Sequence, residues 1–183
     1  AVMACGSGAF LLRAMTQALA DFHTQPEEDA VKKHHIYGVE YDELVYGLAT
    51  TNMLIHSDGN SNIVQGSCFD EVPRFIKDGV KFNVVLMNPP YNAMAKQMPK
   101  EYSKTWGNSK QDPSKGLYFV KFILDQMNKH GMQGKLAVLL PMACAIGNST
   151  LMKQMKNAIL KNNTLDAVFS LPDDIFYPGA SAC

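Results

Sequence analysis

Short apolar runs alternate along this chain with longer stretches in which apolar side chains recur every third or fourth position. The first pattern predicts buried strands and the second amphipathic helices. Strands are expected at 36–41, 62–66, 82–87, 135–140 and 165–171, and helices at 9–22, 42–56, 116–129 and 151–161. In the third helix Leu117, Val120, Ile123, Leu124 and Met127 share one face, which reads as core. The fourth follows Gly147-Asn148-Ser149-Thr150, a cluster suited to an N-cap. Alternating strands and helices imply an α/β fold with a mostly parallel central sheet and helices on both faces. Residues 22–35 contain Pro26 and a charge cluster and are expected to lengthen the first crossover. The chain opens almost directly on a glycine-rich turn and closes at 177–183, where another strand would start. Both ends therefore read as truncated, leaving 1–183 as one domain of a larger protein.

Composition narrows the class. A chain of 183 residues suffices for one domain with a full core. It is 46% hydrophobic and 19% charged, ordinary for a globular protein. Lys+Arg and Asp+Glu both number 17, so nucleic-acid affinity would have to come from a local patch or a partner subunit. The sequence shows neither a signal peptide nor a long apolar span, which points to the cytoplasm and away from a membrane. Cys5, Cys68, Cys144 and Cys183 form no C-x-x-C pair, and the histidines, adjacent His34 and His35 included, lack metal spacing. No metal site is expected.

The chemistry is concentrated where the expected strands end. The run Phe82 to Met87 stops at Asn88-Pro89-Pro90-Tyr91, a proline-locked corner that holds an amide side chain and a carbonyl, both hydrogen-bond acceptors suited to an amino group. A strand cap and turn is the plainer reading of the same residues. Upstream, Ala4-Cys5-Gly6-Ser7-Gly8-Ala9-Phe10 is a small-residue turn leading into a helix, where the backbone can approach a ligand. It departs from the dinucleotide fingerprint, whose third glycine would fall at Leu11. Glu40, at the tip of the second strand, suits the two hydroxyls of a ribose, or else caps the following helix. After the third strand, Ser67, Cys68 and Phe69 suit an adenine ring. Residues 92–115 form a long stretch of low hydrophobicity, with five lysines against Glu101 and Asp112, plus Tyr102 and Trp106. Lysines interleaved with aromatics fit a nucleic-acid strand and fit a solvated loop equally well.

On these motifs, in this order, the chain resembles the N6-adenine DNA methyltransferases of the Asn-Pro-Pro-Tyr type, and most of all the methylation subunit of type I restriction–modification systems. The strand at 135–141 and the stretch Leu171-Pro172-Asp173-Asp174-Ile175-Phe176 fit that family too. The resemblance implies a Rossmann-like methyltransferase fold with S-adenosylmethionine as cofactor. Ala4, Cys5, Gly6, Ser7 and Gly8 would run under its methionine end, Glu40 would hold its ribose, and Ser67, Cys68 and Phe69 would flank its adenine. A target adenine, flipped out of double-stranded DNA, would meet Asn88, Pro89, Pro90 and Tyr91. Asn88 also borders the cofactor. A separate specificity subunit and a restriction subunit are the implied partners. The family usually carries Asp-Pro where this chain has Val2-Met3, and many relatives carry a third-strand acid where it has Ser67 and Cys68; both departures bear on cofactor affinity. Related Asn-Pro-Pro-Tyr enzymes modify protein glutamine or RNA guanine, and a cofactor-binding or assembly module inactive as a fragment is the non-enzymatic alternative.

Overall fold

A computed structural model describes residues 1–21, 24–56 and 62–172. Five strands form one sheet: β1 (Val2–Met3), β2 (Tyr37–Glu40), β3 (Asn62–Gln65), β4 (Val84–Met87) and β5 (Lys135–Val138), in the order β3-β2-β1-β4-β5. The pairs β1–β2, β1–β4 and β2–β3 are parallel, with Met3 opposite both Val39 and Met87 and Glu40 opposite Gln65. The eight α-helices among the described residues are α1 (Ala9–Leu19), α2 (Gln25–His34), α3 (Glu43–Ile55), α4 (Cys68–Lys77), α5 (Lys100–Ser103), α6 (Leu117–Lys129), α7 (Met142–Ile146) and α8 (Thr150–Leu160). By compactness the chain divides into two units: Ala1–Asn88 with Gly134–Ala137, and Pro89–Gln133 with Val138–Cys183.

Two neighbouring residues of β2 show that helices cover both faces of the sheet in the first unit. Successive side chains of a strand point to opposite faces. The ring of Tyr37 meets Phe75 of α4 edge-on, with centroids 5.3 Å apart. A Cβ on Gly38 would fall 2.8 Å from Leu11 of α1, so α1 packs on the other face and requires a glycine beneath it. Val2, Cys5, Leu11, Met15, Ile36, Ala49 and Met53 form the core on the α1 side. In the second unit Leu117, Cys144, Met152 and Met155 form a separate cluster, joined by Tyr118, Leu140, Leu151 and Ile159.

The expected elements are present, most of them with shorter bounds and the last helix shifted by one residue, with one exception. Residues 165–171 form no strand, and Leu165, Val168 and Phe169 are exposed. A strand exists only through a neighbour's hydrogen bonds, and no described strand pairs with this segment. Four helices, α2, α4, α5 and α7, lie outside the expected set, and two of them carry charge that suits a helix. The segment expected to lengthen the first crossover does so as α2, with Pro26 in its first turn, Glu27 and Glu28 beside it, and Lys32, Lys33 and His34 in its last turn. That distribution complements the helix dipole. In α4 Asp70 and Glu71 open the helix and Arg74 and Lys77 close it, although Pro73 lies inside. The expected cap of α8 is Ser149, whose side chain accepts from the Met152 amide at 3.3 Å. His34 and His35 are exposed. The expected features at 22, 173–176 and 177–183, including Cys183, lie outside the described residues.

Candidate functional site

The sheet order sets the geometry. From β1 the chain builds outward through β2 and β3, then crosses back to place β4 on the other side of β1. The crevice beyond the carboxyl ends of strands at such a reversal is where open α/β sheets bind ligands. Parallel register puts the tips of β1, β2 and β4 side by side: Ala4 follows Met3, Glu40 follows Val39, and Asn88 follows Met87. Three of the expected site segments are thereby neighbours.

The glycine turn is held from two sides. The Cys5 amide continues the ladder by donating to the Val39 carbonyl at 2.9 Å. The Gly6 amide donates to Glu40 Oε2 at 2.8 Å, and the Asp42 amide donates to Glu40 Oε1 at 3.1 Å. Glu40 therefore ties the tip of β2 to the turn after β1; Asp42, not Glu40, caps α3, accepting from the Leu44 and Val45 amides. From α3, the Asn52 side-chain amide donates to the Ser7 carbonyl at 2.8 Å. The backbone of Gly8, with φ +87, lies so close to α3 that a Cβ would touch the Ala49 backbone at 3.4 Å. Gly6 differs: its φ is +55, but a Cβ there would meet nothing within 4 Å, so its backbone borders open space. Ala4 holds φ +58, a conformation that costs a non-glycine residue about 1 kcal/mol. Asn52, Ala49 and the Ala4 strain escape sequence reading, since none belongs to a contiguous motif.

Beyond β3 the roles separate. Ser67 caps α4, its Oγ accepting from the Phe69 amide at 3.3 Å, and Phe69 is half-buried. Cys68 and Cys5 are buried, so their side chains belong to the core and only their backbones remain for a ligand. Burial, reinforced at Cys5 by the Glu40 charge and at Cys68 by Asp70, pushes both thiols up to about 12. Neither is a nucleophile near neutral pH.

In the tetrapeptide expected to meet the target base, Asn88 and Pro90 are exposed, Tyr91 is half-buried and Pro89 is buried. The division between the compact units falls between Asn88 and Pro89. Within the second unit Pro89 packs against Gly116, where a Cβ would fall 3.1 Å from the proline ring and 3.0 Å from Leu140. The Ala93 carbonyl accepts from the Asp112 amide at 2.8 Å, Met94 bridges Gln111 in antiparallel fashion, and Lys115 Nζ donates to Asn92 Oδ1 at 2.7 Å.

The long stretch 92–115 is more ordered than its composition predicts. Tyr102 and Trp106 are buried, and Tyr102 lies edge-on to Trp106 and stacks on Tyr118 at 3.6 Å. They are core aromatics, so they serve neither as stacking platforms for a nucleic-acid strand nor as part of a solvated loop, the two readings the sequence left open. The lysines stay solvent-accessible, and Lys110 and Lys115 border a depression of about 480 Å³ with Met94, Gln111 and Pro113. Asp112, expected to offset them, is fully buried. It accepts from the Tyr102 hydroxyl (3.0 Å), the Ser114 amide (2.8 Å) and hydroxyl (2.7 Å), and the Gly116 amide (2.9 Å). Burial, the largest cause, raises the Tyr102 phenol well above its ordinary value, which keeps it a proton donor to Asp112.

Comparison with known proteins follows the same lines. The family model described as N-6 DNA Methylase matches residues 2–183. A type II restriction enzyme and methyltransferase, RM.BcgI, of Heyndrickxia coagulans is 32% identical across 98% of this chain and 26% of its own length. The type I restriction enzyme EcoEI methylase subunit of Escherichia coli is 25% identical across 96% of this chain and 34% of its own. Among solved structures, a modification subunit of a putative type I restriction enzyme from Vibrio vulnificus superposes with a TM-score of 0.72 at 24% identity, covering 99% of this chain and 38% of that one. The chain thus spans between a quarter and two-fifths of the length of these relatives.

Proposed function

This chain belongs to the N-6 DNA methylase family, and from that premise we propose that residues 1–183 work as one catalytic domain transferring a methyl group from S-adenosylmethionine to the exocyclic amino nitrogen of a flipped-out adenine in double-stranded DNA. The observation that carries this reading is the parallel register of β2, β1 and β4, which brings the glycine turn, Glu40 and Asn88 to adjacent strand tips.

The residues present suit the cofactor. Open space beside Gly6 leaves room for a ligand against the turn, and the half-exposed Glu40 carboxylate spends one acceptor position per oxygen on the chain, leaving lone pairs for ribose hydroxyls. Ala4, Cys5, Ser7 and Gly8 supply backbone to the methionine end. The half-buried Phe69, presented by the Ser67 cap, offers a ring to the adenine. When bound, S-adenosylmethionine supplies an electrophilic methyl group. The protein's task is to make the acceptor nitrogen nucleophilic. Asn88 Oδ1 and the Pro89 carbonyl accept hydrogen bonds from its two N–H groups and favour the positive charge that develops there as the lone pair leaves the ring's π system. Tyr91 stacks on the extruded base, and Pro90 stiffens the corner so that acceptors need no reorganisation. Neither a metal nor a covalent enzyme intermediate enters this scheme.

The similarity to restriction–modification proteins supports a place in such a system, with a separate specificity subunit choosing the site, a restriction subunit alongside, and a cytoplasmic location where DNA is reached. Among the described residues no helix is long and apolar enough to cross a membrane. The test is a map of modified bases in the source genome with the intact parent gene and with its Asn88→Ala version. Loss of N6-methyladenine at one defined, two-part sequence supports the reading; an unchanged pattern with the gene expressed rejects it.

A further inference from the structure

We infer that Asp112 is a positioning residue for methyl transfer: its buried carboxylate sets the turn 112–116 as the template that holds Pro89 and Tyr91 in working geometry. This rests on the reading that those two residues act at the target base.

Four strands of observation meet at the same turn. The segment that carries Pro89, Pro90 and Tyr91 is fastened on both sides to residues 111–116. Ahead of Tyr91, the buried Pro89 ring lies against Gly116 with no room for a side chain. Behind it, Asn92 is held by Lys115, Ala93 by the Asp112 amide, and Met94 by Gln111. The template is itself strained. Lys115 has φ +53 and Gly116 φ +100, two left-handed residues in succession, and Lys115 is one of only two non-glycine residues with positive φ among those described. The other is Ala4, in the cofactor turn. Such strain persists only where surrounding contacts over-determine it.

Asp112 supplies those contacts. Oδ2 takes the Gly116 amide and fixes the second left-handed residue, the one beneath Pro89. Oδ1 takes Tyr102 and both donors of Ser114, which lock the carboxylate in turn. A carboxylate is required because the Ser114 and Gly116 amides can only donate, and each points at a different oxygen. An asparagine of the same shape would direct an N–H₂ group at one of those two amides. A turn that relaxes would leave the Pro89 carbonyl and Tyr91 ring misplaced, and a misplacement of ~1 Å can lower a rate ~100-fold.

The test uses the intact parent protein with its partner subunits, on duplex DNA carrying the mapped target. It measures kcat, KM for DNA and the dissociation constant for S-adenosylmethionine, below every variant's melting temperature. Asp112→Asn is expected to lower kcat ~100-fold while cofactor affinity stays within ~2-fold, because the transition-state geometry is lost and the glycine turn and Glu40 are untouched. Tyr102→Phe removes one Oδ1 donor without touching the link to Gly116. It is expected to lower the melting temperature but hold kcat within ~3-fold. Lys115→Met removes only the solvent-accessible tether to Asn92 and is expected to lower kcat ~5-fold with an unchanged melting temperature, which decides the matter if Asp112→Asn does not fold. Wild-type kcat in Asp112→Asn, or in Lys115→Met where the former fails to fold, overturns the inference. So does a kcat that merely tracks melting temperature across all three. If the wild type itself transfers no methyl to DNA, the function proposed above falls together with this inference; if it does and Asp112→Asn matches it, only the inference falls.

Discussion

Two turns in this molecule are built alike and used differently. Ala4–Gly8 in the first unit and Asp112–Gly116 in the second each hold a strained non-glycine residue, Ala4 or Lys115. Each ends in a left-handed glycine at the N-cap of a helix: Gly8 before α1 with φ 87, and Gly116 before α6 with φ 100. Each has a carboxylate accepting from a glycine amide, Glu40 from Gly6 at 2.8 Å and Asp112 from Gly116 at 2.9 Å. The difference is saturation. Glu40 is half-exposed and takes two backbone amides, whereas Asp112 is fully buried and takes four donors. An acceptor with lone pairs still facing space can serve a ligand; one caged by donors can only serve the chain. The same carboxylate–glycine device thus leaves an acceptor open to a ligand in one unit and holds a turn in place in the other.

The comparison would break most visibly at Asp112. Asp112→Ala leaves buried donors unanswered and is expected to cost ~3–5 kcal/mol of stability, read from denaturant unfolding. The matching change, Glu40→Ala, should cost only ~1–2 kcal/mol, because water replaces the lost acceptor. Its larger signature is functional: S-adenosylmethionine affinity should fall ~10- to 100-fold by calorimetry, since hydrogen bonds from ribose to a charged group are lost. Equal stability losses in the two variants would contradict the distinction between a ligand-facing and a caged carboxylate.

Smaller substitutions sharpen the same contrast. Gly8→Ala combines positive φ with the approach to Ala49 and should destabilise by ~1–2 kcal/mol. Ala4→Gly should stabilise by up to ~1 kcal/mol, since it relieves left-handed strain at a modest entropic cost. A loss of stability there would mean that Ala4 is not strained in solution. The last effect is a pH dependence that begins only above neutral pH. With the Cys5 and Cys68 thiols raised to about 12 from 9.0, the folded state holds protons that the unfolded state releases first. The thiol contribution to stability is therefore intact below about pH 9 and is lost as pH rises towards 12. Melting temperatures of the wild type and a Cys5→Ala, Cys68→Ala variant should converge over that range.

The first turn and the strand tips beside it were far more legible in the sequence than the second turn. Glycines at 6 and 8, an acid at a strand tip and a proline pair after an apolar run are local signals, and the parallel register simply aligns them. Asp112 read as one acid among lysines, because nothing in its neighbours announces that Tyr102, Ser114 and Gly116 will converge on it. Tyr102 and Trp106 misled for a related reason: aromatic residues among lysines look alike whether they face solvent or pack inward, and only the ring stack on Tyr118 decides between them. At 165–171 alternation gave the potential for a strand, but a sheet position depends on a partner that the segment does not itself contain.

What the sequence determined by itself is whatever acts over a few residues: where a strand or an amphipathic helix is possible, where glycine permits a turn, where proline stiffens one, and the acceptor groups at Glu40 and Asn88. What only the tertiary structure decided is which of these groups meet. Hydrogen bonds join Gly6 to Glu40 across 34 positions and Asn52 to Ser7 across 45. Whether a carboxylate faces space or a cage of donors is set by the elements folded around it, and burial is a property that no residue carries alone.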